Sequence, residues 1–418
     1  MKILLLNQCF WPDVVATSQQ LTAVARRLSE QGHEVTVVAA RQGYDDPGLT
    51  FPRRERWNGI EVIRVSSLNL GKKTRSVRTV NFVSFLLTSA LQMLRLPRHD
   101  VVVALTSPPL ISWLGSLFTK IKGGRMVFWA MDLNPDEAIA AGWLKQNSLT
   151  AKFLSRLLKS SMARAKTIVA LDEFMKERIV SKGIDERKIA VIPPARDYNV
   201  RFDEGGREAF RRQHDLADKF VVMYAGNHSP CHPLDTLLES ANELKSDEAI
   251  AFVFAGGGSE FKKVEAFARA NKLTNIKCLP YQPQENLSAV LSAADLHVVV
   301  MGDPFVGIVH PSKIYNILSV GAPFVFIGPE QSPMSEIVSQ IGDPKHAAHV
   351  SHGAAIELAK SISEAAKEMS NFKRSFRPTE IHEFDSLPSL VAVIESAHAA
   401  VHDDSVIKPV VRTSPGQI

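Results

Sequence analysis

Residues 296–321 read LHVVVMGDPFVGIVHPSKIYNILSVG, and this pattern predicts a strand, a turn and a helix in succession. The apolar run from Leu296 to Met301 predicts a buried β-strand. The helix that follows ends at Gly321, a residue typical of helix C-termini. The polar turn between them directs free backbone N–H groups and a helix dipole toward its occupant, which suits a phosphate. Lys313 adds a positive charge at the same place.

The same alternation of strand and helix extends along both halves of the chain. In the N-terminal half, strand patterns lie at 2–6, 35–39, 60–65, 101–105, 126–130, 167–171 and 189–192. In the C-terminal half they lie at 220–225, 251–255, 276–279, 296–301 and 324–327. Helical patterns separate most of these strands, and parallel strands require such crossovers. The sequence therefore predicts an α/β protein with two doubly wound, Rossmann-like domains.

The chain of 418 residues is long enough for two domains of about 200 residues each. We predict an N-terminal domain at 1–195, a C-terminal domain at 196–380, and a helix at 381–401 that packs back on the N-terminal domain. The stretch 195–218 is interpreted as a hinge, and the tail at 402–418 as disordered. Ligands of open α/β sheets bind beyond the carboxyl ends of the strands. We therefore expect a cleft lined by strand-to-helix turns of both domains.

The amino-acid composition indicates which class of protein the chain belongs to. Hydrophobic residues make up 45% and charged residues 22% of the chain, as in soluble globular proteins. Its three cysteines, Cys9, Cys231 and Cys278, do not form a disulfide framework, and the short apolar start does not resemble a signal peptide. We expect a cytoplasmic protein. The positive charge is not interleaved with aromatic residues, so we expect no nucleic-acid partner.

A basic cluster precedes an uncharged segment in the N-terminal half. The cluster is Lys72, Lys73, Arg75 and Arg78, and the uncharged run is Val80–Leu94. Its fifteen residues are short of the ~20 needed to span a bilayer. One interpretation is a segment that lies on the inner-membrane surface, with the basic cluster at the lipid phosphates. The other is a buried amphipathic helix with a solvated basic end.

Four stretches of the sequence resemble one known family. They are the start MKILLLNQCFWPDVVATSQQLTAVARRLSEQGHEVTVVAA, the run MDLNPDEAIAAG at 131–142, VVMYAGNHSPCHPLDTLLESA at 221–241, and ADLHVVVMGDPFVGIVHPSKIYNILSVGAPFV at 294–325. They resemble the GT-B glycosyltransferases, and within them the retaining family 4 enzymes that build bacterial surface polysaccharides. The resemblance implies transfer of a sugar from a nucleotide sugar to a sugar or polyprenyl-diphosphate-linked acceptor. We expect the donor to be a UDP-sugar. It also implies retention of configuration and no metal or other cofactor.

The resemblance implies a donor site on the C-terminal domain. The diphosphate would bind the backbone amides of the turn from Gly307 to Lys313, with Ser312 and Lys313 as the side-chain candidates. The base would contact the turn after the strand at 276–279. The donor-binding candidates are Arg196, Gly226, Asn227, His228, Tyr281, Gln282, Asp303, Gly307, His310, Ser312, Lys313 and Asn316.

The donor motif departs from the family pattern at several positions. The usual earlier acidic residue falls at Ile308 and the later one at Asn316, although Asp303 is near enough to replace the first. The family's basic pair after the first C-terminal strand is replaced by Gly226, Asn227 and His228, so Arg196 and Arg201 at the hinge, or Lys313, would compensate. These losses leave two alternatives open, a nucleotide-sugar epimerase of the same fold and a non-catalytic component of a polysaccharide assembly complex.

The catalytic candidates are Asp132, Glu137 and Lys313. Lys313 would stabilise the negative charge that develops on the leaving diphosphate. Asp132 and Glu137 follow the strand at 126–130 and would contact the acceptor or handle its proton, whereas the alternative roles are a helix cap for Asp132 and a solvated helix position for Glu137. Trp11, in the loop after the first strand, is an acceptor candidate.

One short segment permits a metal-binding interpretation. His228, Cys231 and His232 lie within five residues, but no fourth ligand stands at a standard spacing. We therefore favour a loop that touches phosphate or sugar, or a purely structural loop.

Overall fold

The computed structural model describes residues 1–44, 48–68, 70–71, 75–197, 199–368 and 386–398. The chain divides into two compact units, one formed by Met1–Pro193 with Ser386–Ile418 and the other by Pro194–Asp385. Each unit contains one sheet of mainly parallel strands with helices packed against it. The predicted α/β class with two doubly wound domains is confirmed. The predicted tail at 402–418 lies outside the described residues.

The first unit contains an eight-stranded sheet. Its strands are β1 (Lys2–Leu6), β2 (Glu34–Ala40), β3 (Arg54–Trp57), β4 (Ile60–Val65), β5 (Val101–Ala104), β6 (Arg125–Trp129), β7 (Thr167–Ala170) and β8 (Ile189–Val191). Its helices are α1 (Ala16–Glu30), α2 (Arg75–Arg95), α3 (Ile111–Lys122), α4 (Asp136–Ala140), α5 (Leu149–Arg164) and α6 (Glu173–Ser181). The strand order is β3-β4-β2-β1-β5-β6-β7-β8, and the chain order reverses on either side of β1.

Burial on both faces explains the apolar strands of this sheet. Residues Ile3–Leu6 of β1 are fully buried and pair with β2 on one side and β5 on the other. A central parallel strand of this kind is covered on both faces, so its sequence is a continuous apolar run. The sequence did not predict β3, because this polar edge strand pairs antiparallel with β4 and has no apolar run of its own.

The uncharged segment Val80–Leu94 lies in α2. Asn81, Phe85, Ser89 and Met93, spaced four residues apart, are buried. Phe85 and Met93 belong to the core that α2 shares with the strands. Ser76–Arg95 is the one described helix long and apolar enough to cross a membrane by composition. Its inner face, however, packs as a core helix of the α/β unit.

The second unit contains six parallel strands. In chain order its elements are α7 (Glu204–Gln213), β9 (Phe220–Asn227), α8 (Asp235–Glu243), β10 (Ile250–Gly257), α9 (Phe261–Ala270), β11 (Ile276–Leu279), α10 (Leu287–Ser292), β12 (Leu296–Val300), α11 (Lys313–Ser319), β13 (Phe324–Ile327), α12 (Pro333–Ile341), β14 (Ala347–Val350) and α13 (Ala355–Lys367). The strand order is β11-β10-β9-β12-β13-β14. Chain order reverses between β9 and β12, which places a topological switch point there.

A last helix, α14 (Leu387–Ser396), belongs to the first unit although it follows the second in sequence. It contacts α1 and β5. Leu390, Val391 and Ile394 are buried, and Glu395 Oε1 lies 2.7 Å from His33 Nε2. The chain therefore returns to its first unit after completing the second.

The stretch interpreted as a hinge contains α7. Asp203 caps this helix by accepting a hydrogen bond of 2.9 Å from the Gly206 N–H. Its inner face carries Arg207 and Arg211, which donate to Asp295 at 2.5 and 2.9 Å. Asp295 also accepts from the Val221 N–H at 2.8 Å. The polar composition of α7 therefore reflects a buried ion-pair network rather than a flexible connection.

Replacing Asp295 tests this network. In Asp295→Ala, two guanidinium groups lose their shared buried partner, which should cost about 3–5 kcal/mol. For a unit of this size, Tm should fall by roughly 10 °C. The matched control is Glu208→Ala, which breaks the exposed 3.2 Å pair with Arg212 on the same helix and should change Tm by about 2 °C or less. Equal effects of the two changes in a thermal melt would contradict the buried network.

Candidate functional site

Glycines crowd the carboxyl ends of β9 and β10 in the second unit. Gly226, Gly256 and Gly258 have φ values of +125°, +136° and +132°. A Cβ on Gly256 would lie 2.0 Å from the Gly226 carbonyl oxygen, and a Cβ on Gly258 would lie 2.2 Å from that of His228. Only glycine fits such an approach. The two turns thus form a closely packed backbone surface beside the switch point.

Lys313 places its ammonium group against this surface. Its Nζ lies 3.6 Å from the centroid of the Tyr224 ring, a cation–π contact. The same atom would lie 3.5 Å from a Cβ on Gly226. Nζ is buried and has no hydrogen-bond acceptor within the part of the chain that the structure describes. Burial lowers the pKa of Lys313 to about 7.

A buried ammonium group without a counter-ion is costly, and an anionic ligand would remove that cost. The position of Lys313 at the switch point is where open α/β sheets bind ligands. The arrangement therefore has the chemistry of an anion site, and phosphate is the anion that a backbone cradle and one lysine suit.

Two histidines beside Lys313 are neutral at physiological pH. Burial, followed by the charge of Lys313, lowers the pKa of His228 to about 4 and that of His232 to about 3. Nδ1 of His228 lies 3.0 Å from the Gly226 carbonyl oxygen, and Nδ1 of His232 lies 2.6 Å from that of Val300. These carbonyl contacts require a proton on Nδ1, which leaves each Nε2 as an acceptor. The histidines add hydrogen-bonding capacity rather than positive charge.

Tyr281 extends the same surface. Its hydroxyl donates to the Gly257 carbonyl oxygen at 3.2 Å, and a Cβ on Gly257 would lie 2.8 Å from the Tyr281 ring. About half of the tyrosine is exposed. Gln282 is half-buried and donates to the Pro280 carbonyl oxygen at 2.9 Å. The turn after β11 therefore presents an aromatic ring next to the glycine turns.

The remaining donor candidates lie in the turn before α11, on α11 itself or near the start of the second unit. Asp303 is exposed, with Oδ1 3.6 Å from His352 Nε2. His310 Nε2 lies 2.8 Å from the Tyr315 hydroxyl. Ile308, at the position of a usual acidic residue, is fully buried. Gly307 (φ +68°), Ser312 and Asn316 lie on the turn and α11, and Arg196 is half-buried near the start of the unit. Their roles stay predictions.

Tyr224 also belongs to this cluster, although the sequence did not identify it as a candidate. Its ring lies against the Lys313 ammonium group, and its hydroxyl donates to the Asn227 carbonyl oxygen at 2.8 Å. It thus connects the cation to the turn that follows β9. The available signal was a polar hydroxyl group within an apolar strand, two residues before a glycine.

In the first unit, a carboxylate cluster follows β6. Asn134 Nδ2 donates to Asp132 Oδ1 at 3.2 Å and to Glu137 Oε2 at 2.8 Å. Burial, and then repulsion by Glu137, raises the pKa of Asp132 to about 7. Pro135 is the N-cap residue of α4, so Asp132 does not cap that helix. A carboxyl group that exchanges its proton near neutral pH is suited to acid–base chemistry.

Other acceptor candidates of the first unit have different surroundings. Trp11 stacks on Trp57 with ring centroids 4.8 Å apart, and its carbonyl oxygen accepts from Arg64 at 2.7 Å. Arg78 lines a pocket at the carboxyl ends of β1, β2 and β4. The pocket's polar side chains include Gln8, Gln42, Ser67 and Asn81. Arg75 begins α2, whereas Lys72 and Lys73 lie outside the described residues.

The metal-binding interpretation has no geometric support in the described part of the chain. No group of three or more His, Cys, Asp or Glu side chains there is arranged to hold a metal ion. His228 and His232 each direct Nδ1 to a backbone carbonyl oxygen instead.

Comparisons with known proteins agree with this geometry. The model of the glycosyl transferase 4-like domain matches residues 16–195, and that of glycosyl transferases group 1 matches residues 206–375. A protein of Escherichia coli (strain K12) described as a colanic acid biosynthesis glycosyl transferase, WcaI, is 24% identical over 351 residues, which are 81% of this chain and 86% of that protein.

Solved structures show the same fold. HepE from Anabaena, in complex with UDP-glucose, matches with a TM-score of 0.69 and 15% identity over 95% of this chain and 98% of that chain. WaaG, a glycosyltransferase involved in lipopolysaccharide biosynthesis, matches with a TM-score of 0.68 and 13% identity over 94% and 99%. The chain is therefore a glycosyltransferase of the group 1 type with a glycosyl transferase 4-like N-terminal domain and the GT-B fold, and it is similar to a transferase of colanic acid biosynthesis.

Proposed function

We propose that the enzyme transfers a sugar from a UDP-sugar to a sugar or lipid-linked acceptor during assembly of a surface polysaccharide, with retention of configuration. The observation that carries the proposal is the buried Lys313 ammonium group beside the glycine turns of β9 and β10. Its burial without an anionic partner in the described chain is explained by a diphosphate ligand. UDP is the first choice because the similar structure of HepE holds UDP-glucose.

In the proposed reaction, the bond between the anomeric carbon and the diphosphate oxygen breaks, and the acceptor oxygen bonds to the anomeric carbon. Lys313 and the backbone N–H groups of the turns stabilise the charge of the leaving diphosphate. The reaction needs no metal in this proposal, because the lysine supplies the positive charge. In this proposal Tyr281 would contact the base, and Tyr224 would hold Lys313 in place through their cation–π contact.

The acceptor side is assigned to the first unit. Asp132 would accept the proton of the acceptor hydroxyl or hold that hydroxyl in place. Asn134, which also donates to Glu137, would fix the Asp132 carboxylate. A group with a pKa near the working pH is well matched to proton transfer. The side chains of Asp303 and Asn316 are the candidates for contact with the sugar and the ribose of the donor.

The donor is tested by thermal shift with UDP, GDP, ADP and CMP and their sugars. A ligand at about a hundred times its Kd should stabilise the protein by roughly 2.7 kcal/mol, which corresponds to several degrees in Tm. We expect a shift with UDP and UDP-sugars. Radiolabelled transfer then identifies the acceptor, and NMR of the product reports the anomeric configuration. Turnover of the donor without any acceptor would favour the epimerase alternative, and a shift with another nucleotide alone would exclude UDP.

Lys313→Met separates ligand binding from stability. Methionine fills similar space without a buried charge, so we expect the ligand-free variant to melt roughly 5 °C higher. The same variant should lose the stabilisation by UDP. The control is Lys345→Met, which replaces an exposed lysine of the same unit and should alter neither property. If the variant melts at a higher temperature and still binds UDP, Lys313 does not take part in donor binding.

The pH dependence of UDP binding follows from the same lysine. Its pKa in the free protein is about 7, and contact with a diphosphate favours the charged form. Above pH 7 the free protein must therefore take up a proton when it binds UDP. Affinity should fall from pH 6.5 to 8.5 by up to roughly 20-fold. Calorimetry in buffers of different ionisation enthalpy measures the proton uptake, and none at pH 8 would contradict the assignment.

Asp132→Asn tests the proposed proton acceptor. The variant should keep the fold and lose about 100-fold or more in kcat. The wild-type carboxyl group keeps its proton in the folded state between its unfolded pKa near 4 and its folded pKa of about 7. The free energy of unfolding of the wild type should therefore decline as pH rises through this window. The variant has no titrating carboxyl group at this position, so this pH-dependent contribution is absent. The Tm of the variant relative to wild type should increase from pH 4 to 8.

Glu137→Gln provides the companion measurement. It removes the negative charge that helps raise the pKa of Asp132, so the acidic limb of the rate profile should move to lower pH. An unchanged pH–rate profile in Glu137→Gln, or an unchanged kcat in Asp132→Asn, would show that these carboxylates do not take part in the reaction.

A further inference from the structure

Three helices of the first unit pack side by side. α2 contacts α3, and α3 contacts α5. Ser112 Oγ of α3 and Ser161 Oγ of α5 lie 3.1 Å apart between the two helices. At the far end, Lys122 Nζ of α3 donates to the Leu94 carbonyl oxygen of α2 at 3.1 Å. The outer surfaces of the three helices therefore form one continuous face, which we call the α2–α3–α5 face.

No acidic residue occurs in any of these three helices, which together contain nine lysines and arginines. The whole chain has 49 basic and 44 acidic residues, so this composition is a strong local bias. α1 and α6, by comparison, carry Glu30, Glu173 and Glu177. The charged side chains of these three helices are thus all positive, and a surface of positive charge attracts anions.

The same face exposes large apolar side chains. On α2 they follow helical spacing opposite the buried stripe, and α3 and α5 continue them. Leu149 and Phe153 at the start of α5 are 85% and 58% exposed. The exposed apolar residues of the face are Val80, Val83, Leu87, Leu91, Leu94, Ile121, Leu149 and Phe153. A soluble surface seldom leaves so many large apolar groups in water without a partner.

We propose that the α2–α3–α5 face docks the enzyme on an anionic phospholipid bilayer. Aliphatic and aromatic side chains would enter the boundary between headgroups and acyl chains. Arg95, Lys120, Lys152, Arg156 and Lys159 are exposed on the same helices and would meet the lipid phosphates. The helices lie in the interface plane, because the inner stripe of α2 is part of the protein core.

Two other occupants fit the face less well. A symmetric dimer through this face would place the same surface on both sides, so the exposed basic side chains would oppose their own copies. A nucleic acid would use the positive charge but leave the aliphatic side chains of α2 exposed. Only a bilayer uses the charge and the apolar groups together.

The docking face differs from the basic cluster that the sequence suggested. Arg78 is half-buried, with its guanidinium 5.8 Å from the centre of the Trp143 ring. The assigned positive charge instead lies at the C-terminal end of α2 and on α3 and α5. The sequence analysis did not implicate α5, because only the fold places it beside α2 and α3.

The test is flotation of the full chain with vesicles of phosphatidylcholine, with and without about one third phosphatidylglycerol. We expect binding to the anionic vesicles that weakens at high salt. Lys152→Glu with Arg156→Glu should weaken it by at least roughly 25-fold, since each basic side chain near the surface is worth about fivefold. Leu87→Ser with Leu91→Ser should also weaken it, with the salt dependence retained.

The matched control is Arg26→Glu with Arg27→Glu, which makes the same change of charge on exposed positions of α1 and should leave binding intact. Equal losses in the control, or binding that ignores lipid charge, would overturn the proposal. So would a dimer in light scattering that the α5 substitutions dissociate, or tighter binding to DNA than to vesicles. Flotation requires no donor or acceptor, so its outcome is independent of the proposed reaction.

Discussion

Parallel pairing of the strands is the constraint on which the rest of the structure depends. Each parallel pair needs a crossover, so the chain leaves every strand at the same edge of the sheet and returns through a helix. In the second unit, this brings the turns after β9, β10, β11 and β12 to one edge, although they are far apart in sequence. The candidate donor site is a consequence of that geometry. Its glycines, tyrosines and lysine come from four separate segments.

Within that site, the ammonium group of Lys313 is buried without a hydrogen-bond acceptor in the described chain, which lowers the stability of the folded protein. The aromatic ring of Tyr224 compensates part of the desolvation of the cation, but no carboxylate in the described chain neutralises it. A carboxylate partner would stabilise the unit and would compete with a diphosphate for the lysine. Functional sites commonly retain groups that cost stability for this reason. Asp132 is a second example, because burial, and then repulsion by Glu137, raises its pKa so that a proton is available near neutral pH.

The outer surface of the first unit follows from the same crossovers. Successive right-handed connections from β4 to β7 place α2, α3 and α5 next to one another. Each helix alone has an ordinary amphipathic composition. Side by side they produce a surface of one charge sign with exposed apolar groups. The second unit uses its buried charges differently, since Arg207, Arg211 and Asp295 form an internal network that fixes α7.

The sequence by itself determined the α/β class, the two units and the segment around Lys313, because buried parallel strands and glycine turns leave local patterns. It did not reveal β3 or α7, whose stability comes from pairing and from a buried ion pair with distant residues. Tyr224 and the Asp132–Asn134–Glu137 arrangement were likewise decided by tertiary structure, since the burial that shifts a pKa cannot be seen in a local pattern. The spacing of residues along the chain identified the candidates, and the fold decided which of them share an environment.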